Sequence, residues 1–106
     1  MSTPIRRSIF ITGAAAGIGR AVAERFAKAG WFVGLYDVDE AAVQALQQQL
    51  GAGRAVAGRL DVADPDAWGP QLAAFAQAAG RLDVLFNNAG IAVSDRFEDD
   101  ALLRHL

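Results

Sequence analysis

The stretch SIFITGAAAGIGRAV, from Ser8 to Val22, decides the fold of this chain. Its first five residues are β-branched, aromatic or small, which predicts a short buried strand. Apolar residues at helical spacing follow over 17–30 and predict a helix. The turn between them holds Gly13, Gly17 and Gly19. A strand, a glycine-rich turn and a helix in this order favour a phosphate site, because the first turn of a helix presents unpaired N–H groups and a partial positive charge.

Each of the three glycines has its own physical role in such a turn. Gly13 permits a backbone angle barred to other residues, Gly17 leaves room for the ligand, and Gly19 lets the helix pack closely on the sheet. The spacing G-x-x-x-G-x-G is neither the G-x-G-x-x-G fingerprint nor a P-loop, which requires lysine after its last glycine. A glycine cluster also occurs in turns that bind nothing. Its position between a strand and a helix is what favours a nucleotide site.

Strand and helix patterns alternate along the rest of the chain. Strands are predicted at 31–37, 55–61 and 82–90, and helices at 39–51, at 64–80 and from 98 to 106. Pro70 is a misfit inside the third helix and should kink its first turns or delay its regular part. Strand–helix alternation predicts an α/β fold with parallel strands and right-handed crossovers.

Composition excludes several classes of protein. The chain has 106 residues, which is enough for one domain. Of these residues, 53% are hydrophobic and 21% are charged. The net charge of −2 gives no basic excess for nucleic acid, and the absence of cysteine excludes disulfides and thiolate metal sites. Because His105 is the single histidine, we expect no zinc or iron site. No signal peptide or membrane-spanning run is visible, which predicts a cytoplasmic protein without membrane or nucleic-acid partners.

Polar residues stand where the later strands are expected to end. Asp37 closes the second strand, the position at which a dinucleotide-binding sheet places the acid that binds the adenosine ribose. Asp61 ends the third strand, and the segment 87–90 (NNAG) ends the fourth. Each of them alone is equally well explained as a helix cap or a turn residue. Together they lie at the carboxyl ends of parallel strands, the edge where open α/β sheets bind ligands.

These motifs, in this order, resemble those of the short-chain dehydrogenase/reductase family. TGAAAGIG (12–19) matches the cofactor motif T-G-x-x-x-G-x-G, DV (61–62) matches the adenine-contact position, and NNAG (87–90) matches the sheet-stabilising motif. The similarity covers essentially the whole chain from Ile9. It implies a Rossmann-like, doubly wound parallel α/β sheet with strand order 3-2-1-4. It also implies NAD(P)-dependent oxidation of a small alcohol or reduction of a carbonyl substrate.

The resemblance further implies which residues bind the cofactor. The family's motifs place Gly13, Gly17, Ile18 and Gly19 beside the pyrophosphate, Asp37 at the adenosine ribose, Asp61 and Val62 at the adenine, and Asn88, Ala89 and Gly90 along the cofactor. Members that bind NADP carry a basic residue before the second glycine or after the second-strand acid, where this chain has Ala16 and Val38. The 2′-phosphate would also face the Asp37 carboxylate, so we expect NAD rather than NADP.

The family's catalytic residues, a serine and a Tyr-x-x-x-Lys pair, are not recognisable in this chain. The only tyrosine, Tyr36, is followed four residues later by Glu40, the only lysine is Lys28, and Ser94 follows NNAG too closely. The resemblance therefore implies one domain over 1–106 that ends before the catalytic segment. We expect no catalytic or metal-binding residue in it, no activity by itself, and self-association through the exposed apolar edge of the fourth strand.

Two other functions remain open on the residues alone. A nucleotide-binding regulatory module would use the same half-fold without redox chemistry. A methyltransferase also has a glycine-rich turn and an acid at its second strand, although NNAG and the glycine spacing disfavour it.

Overall fold

The computed structural model of the protein describes residues 6–91. Its elements follow the predicted alternation: β1 (Ser8–Thr12), α1 (Gly17–Lys28), β2 (Phe32–Asp37), α2 (Glu40–Leu50), β3 (Ala55–Arg59), α3 (Pro65–Ala79), β4 (Val84–Asn87) and α4 (Asn88–Ile91). The helix predicted from 98 to 106, together with Ser94 and His105, lies outside the described residues.

The four strands form one parallel sheet in the order β3-β2-β1-β4. Strand β1 is central, with Ile9 opposite Val33 of β2 and opposite Val84 of β4. Parallel neighbours require crossover connections, which α1, α2 and α3 supply. The predicted doubly wound α/β fold and its strand order are confirmed.

The strands are apolar on both faces because helices cover both faces. Ile9 and Ile11 of β1 pack with Ala23 and Ala27 of α1 and with other buried residues of the same face, among them Val43 and Leu46 of α2. Phe10, between the two isoleucines, points to the opposite face and packs against α3. Alternation along each strand thus divides the core into two layers, as expected for a parallel sheet buried on both sides.

The layer under α3 is an aromatic cluster, defined by Phe10, Phe32, Tyr36, Trp68 and Phe75. The Phe10 and Tyr36 rings stack with centroids 4.1 Å apart, and Phe75 meets Phe10 edge-on at 5.5 Å. The Trp68 ring lies 6.3 Å from that of Phe10. Aromatic rings contribute large buried areas and prefer such stacked and edge-on arrangements, so this layer is well packed.

The helix boundaries agree with the capping residues seen in the sequence. Asp39 and Asp64 accept hydrogen bonds from the N–H groups of Ala42 and Asp66. The left-handed Gly80 ends α3. Regular helix begins at Pro65 despite Pro70, so the expected delay is wrong. Pro65 occupies the first helical position, where its missing N–H costs nothing.

The fourth strand is shorter than predicted. It ends at Asn87, and the residues Asn88–Ile91 turn into helix α4. The prediction of strand over 82–90 is therefore wrong at both ends. At the carboxyl end the strand stops because the Ala89 N–H donates to the Thr12 side-chain hydroxyl of β1. This N–H is then not used in strand pairing. Strand β3 likewise ends at Arg59, two residues before the predicted end.

Acid should weaken the junction between β1 and β4. Hydrogen bonds from the Arg81 guanidinium and then from the Ser8 N–H lower the pKa of the Asp83 carboxyl below its ordinary value. A carboxylate with a lowered folded-state pKa stabilises the protein above its unfolded pKa, and that contribution is lost as the pH falls below about 4. Asp83→Asn should therefore be less stable at pH 7 and lose less stability on acidification, measured by urea midpoints from pH 7 to 3. Parallel pH curves for the two proteins would contradict this.

Candidate functional site

The polar residues singled out in the sequence meet at one edge of the sheet. Gly13 follows β1, Asp37 is the last residue of β2, Asp61 lies just beyond β3, and Asn87 is the last residue of β4. Because the strands are parallel, their carboxyl ends share this edge. Open α/β sheets bind ligands in the crevice outside these ends. The fold thus brings together residues that lie far apart in the chain.

The glycine-rich turn has the geometry that its spacing predicts. Gly13 and Gly17 have positive φ angles of 67° and 59°, which side-chain-bearing residues rarely adopt. A Cβ on Gly19 would lie 2.1 Å from the Gly13 carbonyl oxygen and 2.9 Å from the Asn88 amide nitrogen. Gly19 therefore lets the start of α1 approach the Gly13 carbonyl and the Asn88 side chain, which a larger residue would prevent. A Cβ on Gly17, in contrast, would meet nothing within 4 Å.

The first turn of α1 is left open to an anion. Its N-cap residue, Ala16, makes no side-chain capping bond, and no acidic residue stands in the first turn. The other two long helices are capped by Asp39 and Asp64 and carry acidic residues in their first turns. Ala16, Gly17 and Ile18 are exposed, Ile18 to 68%. The donors and the positive end of the helix dipole thus fit a pyrophosphate, and the first turn of α1 contributes no acidic side chain of its own.

The Asp37 side chain contacts both the glycine-rich turn and the N-cap of α2. One carboxylate oxygen accepts from the Ala15 N–H at 3.1 Å, and the other accepts from the Asp39 N–H at 3.0 Å. The Ala14 N–H also donates to the Tyr36 carbonyl at 3.2 Å. The sequence predicted a ligand-binding acid here. It carried no signal for the bond to Ala15, which fixes the turn against the end of β2.

The segment after β3 forms a tight turn beside Asp37. The Leu60 N–H donates to the Asp37 carbonyl at 3.1 Å, and the Asp61 carboxylate accepts from the Ala63 N–H at 2.9 Å. The Val62 carbonyl accepts a hydrogen bond from the indole Nε1 of Trp68 at 3.1 Å. Asp61 and Val62 therefore lie at the same edge as Asp37, where the sequence predicts them.

A buried network joins β1 to β4 below this edge. The Thr12 hydroxyl donates to the Asn87 side-chain oxygen at 2.8 Å and accepts from the Ala89 N–H at 3.1 Å. The Asn88 amide approaches the Gly13 carbonyl at 3.4 Å. Sequence reasoning missed the role of Thr12, which was assigned only to the end of the strand. The threonine of the T-G-x-x-x-G-x-G pattern was the available signal.

Loss of the Thr12 hydroxyl should destabilise the protein. Thr12→Val keeps the shape but leaves the Asn87 oxygen and the Ala89 N–H without this partner. The variant loses these two hydrogen bonds, each of which contributes about 0.5–1.5 kcal/mol, so the urea midpoint should fall accordingly. Thr12→Ser, which keeps the hydroxyl, serves as the control and should stay closer to the unmodified protein. A valine variant at least as stable as the serine variant would contradict the role assigned to this hydroxyl.

Tyr36 is unsuited to proton transfer. Its side chain lies in the aromatic cluster, and burial raises the pKa of Tyr36 to about 12. A general acid or base works best with a pKa near the operating pH. The structure therefore places Tyr36 as a core residue.

Two structural searches concern other classes of site. Within residues 6–91, none of the helices combines the length and the apolar character that crossing a bilayer requires. The same part of the chain brings no three histidine, cysteine, aspartate or glutamate side chains together in a way that could hold a metal ion.

Comparison with known sequences identifies related proteins. The family model described as short chain dehydrogenase matches residues 7–103. A meso-2,3-butanediol dehydrogenase of Serratia marcescens is 42% identical over 86 residues, which cover 81% of this chain and 34% of that protein. An L-rhamnose 1-dehydrogenase (NAD(P)(+)) of Azotobacter vinelandii is 38% identical over 101 residues, which cover 90% of this chain and 40% of that protein.

Solved structures agree with the sequence matches. A short-chain dehydrogenase/reductase from Burkholderia phymatum in complex with NAD superposes with a TM-score of 0.71 at 33% identity, over 76% of this chain and 29% of that one. A 3-ketoacyl-(acyl-carrier-protein) reductase from Brucella melitensis complexed with NADH gives a TM-score of 0.71 at 30% identity, over 74% of this chain and 32% of that one. The chain spans about two fifths or less of the length of the two curated relatives named above. With its parallel sheet, its glycine-rich turn and a family match over residues 7–103, the chain belongs to the short-chain dehydrogenase family.

Proposed function

We propose that the chain is the cofactor-binding part of an NAD-dependent oxidoreductase that interconverts a small alcohol and its carbonyl compound. The observation that carries this is the uncapped start of α1 beside the Asp37 carboxylate. Two groups that suit a dinucleotide lie next to each other there. The open N–H donors, at the partly positive end of the helix, suit a pyrophosphate, and the carboxylate suits ribose hydroxyls. Named relatives that are dehydrogenases support the oxidoreductase class.

The proposed cofactor contacts follow the strand ends. The pyrophosphate would lie over Gly13, Gly17, Ile18 and Gly19, the adenosine ribose at Asp37, the adenine at Asp61 and Val62, and the rest of the dinucleotide along Asn88, Ala89 and Gly90. The bound nicotinamide supplies hydride transfer. The chain's own residues bind and orient it: the turn supplies backbone donors, Asp37 accepts from hydroxyls, and the Thr12 network holds the start of α4 in place.

We propose NAD rather than NADP as the cofactor. The residue after Asp37 is Val38, which is apolar and 56% exposed, and the residue before the second glycine is Ala16. Neither residue supplies a cation that could pair with a 2′-phosphate, and the Asp37 carboxylate would repel that phosphate. The nearby Arg20 already contacts Glu24 at 3.7 Å and Gln49 at 3.1 Å. Relatives solved with NAD or NADH support the choice.

We also propose that the 106-residue chain binds cofactor without turning it over. Its only tyrosine is the buried Tyr36, and its only lysine, Lys28, ends α1, away from the carboxyl ends of the strands. General acid–base catalysis contributes about 10²–10⁴-fold, so a chain without a proton donor at the carbonyl should be inactive. Within the described residues β4 pairs with β1 alone, and Val84 is 39% exposed. This apolar edge favours self-association.

Titration with NADH tests the proposal. Binding should enhance nicotinamide fluorescence and compete with NAD, whereas S-adenosylmethionine, the ligand of the methyltransferase alternative, should not displace NADH. Incubation of the 106-residue chain with NADH and a panel of ketones should consume no cofactor above the uncatalysed rate. Displacement of NADH by S-adenosylmethionine, or the absence of NADH binding, would contradict the cofactor assignment. Ketone-dependent oxidation of NADH would contradict the assignment of this chain to binding alone.

A further inference from the structure

The residues 60–63, which we call the β3 ledge, are fixed to the neighbouring strand end. The ledge begins with the bond from the Leu60 N–H to the Asp37 carbonyl at 3.1 Å. It is closed by Asp61, whose carboxylate accepts from the Ala63 N–H at 2.9 Å and whose carbonyl accepts from the Asp64 N–H at 3.0 Å. None of these bonds involves the Val62 carbonyl. A further contact from outside the ledge determines the orientation of that group.

Trp68 supplies this contact. It lies in the first turn of α3, only 4% exposed, with its ring in the aromatic cluster. Its indole Nε1 donates to the Val62 carbonyl at 3.1 Å. The Val62 side chain packs against the same cluster. Because neighbouring rings immobilise the indole, its N–H is a fixed donor, and Val62 is held through both its carbonyl and its side chain.

We infer that Trp68 is a positioning residue for adenine recognition, acting through the Val62 carbonyl on the β3 ledge. This rests on the proposed function, in which Asp61 and Val62 border the adenine. A fixed ledge holds the binding groups in place before the ligand arrives. Binding then loses less free energy to the ordering of these groups. The same bond satisfies the buried indole N–H, so Trp68 fills the space under α3 and holds the Val62 carbonyl at once.

Removal of the indole N–H tests the inference in the full chain. Trp68→Phe keeps an aromatic ring in the cluster but deletes the donor. Trp31→Phe is the matched control, because Trp31 lies just before β2, at the amino ends of the strands. Each protein is titrated with NADH, and AMP or nicotinamide mononucleotide is then used to displace it. AMP contains the adenine, whereas nicotinamide mononucleotide does not, so the ratio of the two affinities isolates the adenine end from any general loss of folded protein.

The expected result is selective. Trp68→Phe should weaken AMP by about three- to tenfold, the range for one lost hydrogen bond, and leave nicotinamide mononucleotide unchanged. Trp31→Phe should change neither. Because phenylalanine is smaller than tryptophan, a second protein carries benzothienylalanine in place of Trp68 in the Trp31→Phe background. That residue replaces the N–H by sulfur at nearly constant ring shape and should give the same selective loss.

Other outcomes overturn the inference. Unchanged AMP affinity in the benzothienylalanine protein would show that the indole N–H does not position the ledge. An equal loss for both nucleotides, or the same loss in Trp31→Phe, would indicate a general effect of replacing an aromatic residue. If the unmodified protein fails to bind NADH, the proposed function fails and the inference with it. If it binds NADH and only the selectivity is missing, the inference fails alone.

Discussion

Gly17→Val is expected to abolish NADH binding while the protein remains folded. A Cβ at this position would meet no protein atom within 4 Å, so the added atom collides with nothing in the unliganded structure. It would instead occupy the space where the pyrophosphate approaches the open N–H groups of α1. Loss of two hydrogen bonds to a charged phosphate, at about 1.5–3 kcal/mol each, lowers the affinity by about 100-fold or more.

The control for this variant must separate backbone strain from loss of the site. Gly17 has a φ of 59°, so valine there also strains the turn, by about 1–2 kcal/mol. Gly80, with a φ of 83° and likewise no atom within 4 Å of an added Cβ, ends α3 at the opposite edge of the sheet. Gly80→Val should lose similar stability by circular dichroism melting yet bind NADH normally. Unchanged NADH affinity in Gly17→Val would mean that this glycine serves only the turn.

An enzyme that joins this unmodified chain to the catalytic segment of the family is expected to prefer NAD over NADP by about 100-fold in kcat/KM. The extra phosphate of NADP would stand against the Asp37 carboxylate, and such a like-charge contact costs several kcal/mol. Asp37→Ala combined with Val38→Arg should reverse the preference, because it removes the repelling charge and adds a cation. Equal or better use of NADP by the unmodified enzyme would contradict the assignment of NAD.

The second carboxylate contact of Asp37 sharpens this experiment. The oxygen that accepts from the Ala15 N–H also holds the glycine-rich turn, so Asp37→Ala should weaken both cofactors. Asp37→Asn with Val38→Arg deletes the charge but keeps a side-chain acceptor for that N–H. It should therefore use NADP better than the alanine version does. Equal performance of the two double variants would show that the bond to Ala15 is unimportant for the turn.

The sequence by itself determined the alternation of strands and helices within the described residues and the edge of the sheet at which the candidate site residues lie. Apolar periodicity and capping residues such as Asp39 and Asp64 are local signals, because the contacts they report lie within one helix or strand. Strand–helix alternation then predicted parallel strands, whose carboxyl ends must share an edge. That is why the glycine-rich turn, Asp37 and Asp61 could be placed together before any distance was known. The order of the strands came from the family resemblance, since alternation alone leaves several orders possible.

Only the tertiary structure decided how these strand ends are joined. The Thr12 hydroxyl meets Ala89, which is 77 residues away, and the Asp37 carboxylate meets Ala15, which is 22 residues away. Two further features were likewise seen only in the tertiary structure: the helix formed by Asn88–Ile91 and the bond from Trp68 to Val62. Such bonds form because sheet order and layer packing bring particular donors and acceptors within about 3 Å. Hydrophobic pattern specifies which face of an element is buried, but a hydrogen-bond partner on another element is selected only when both elements have packed.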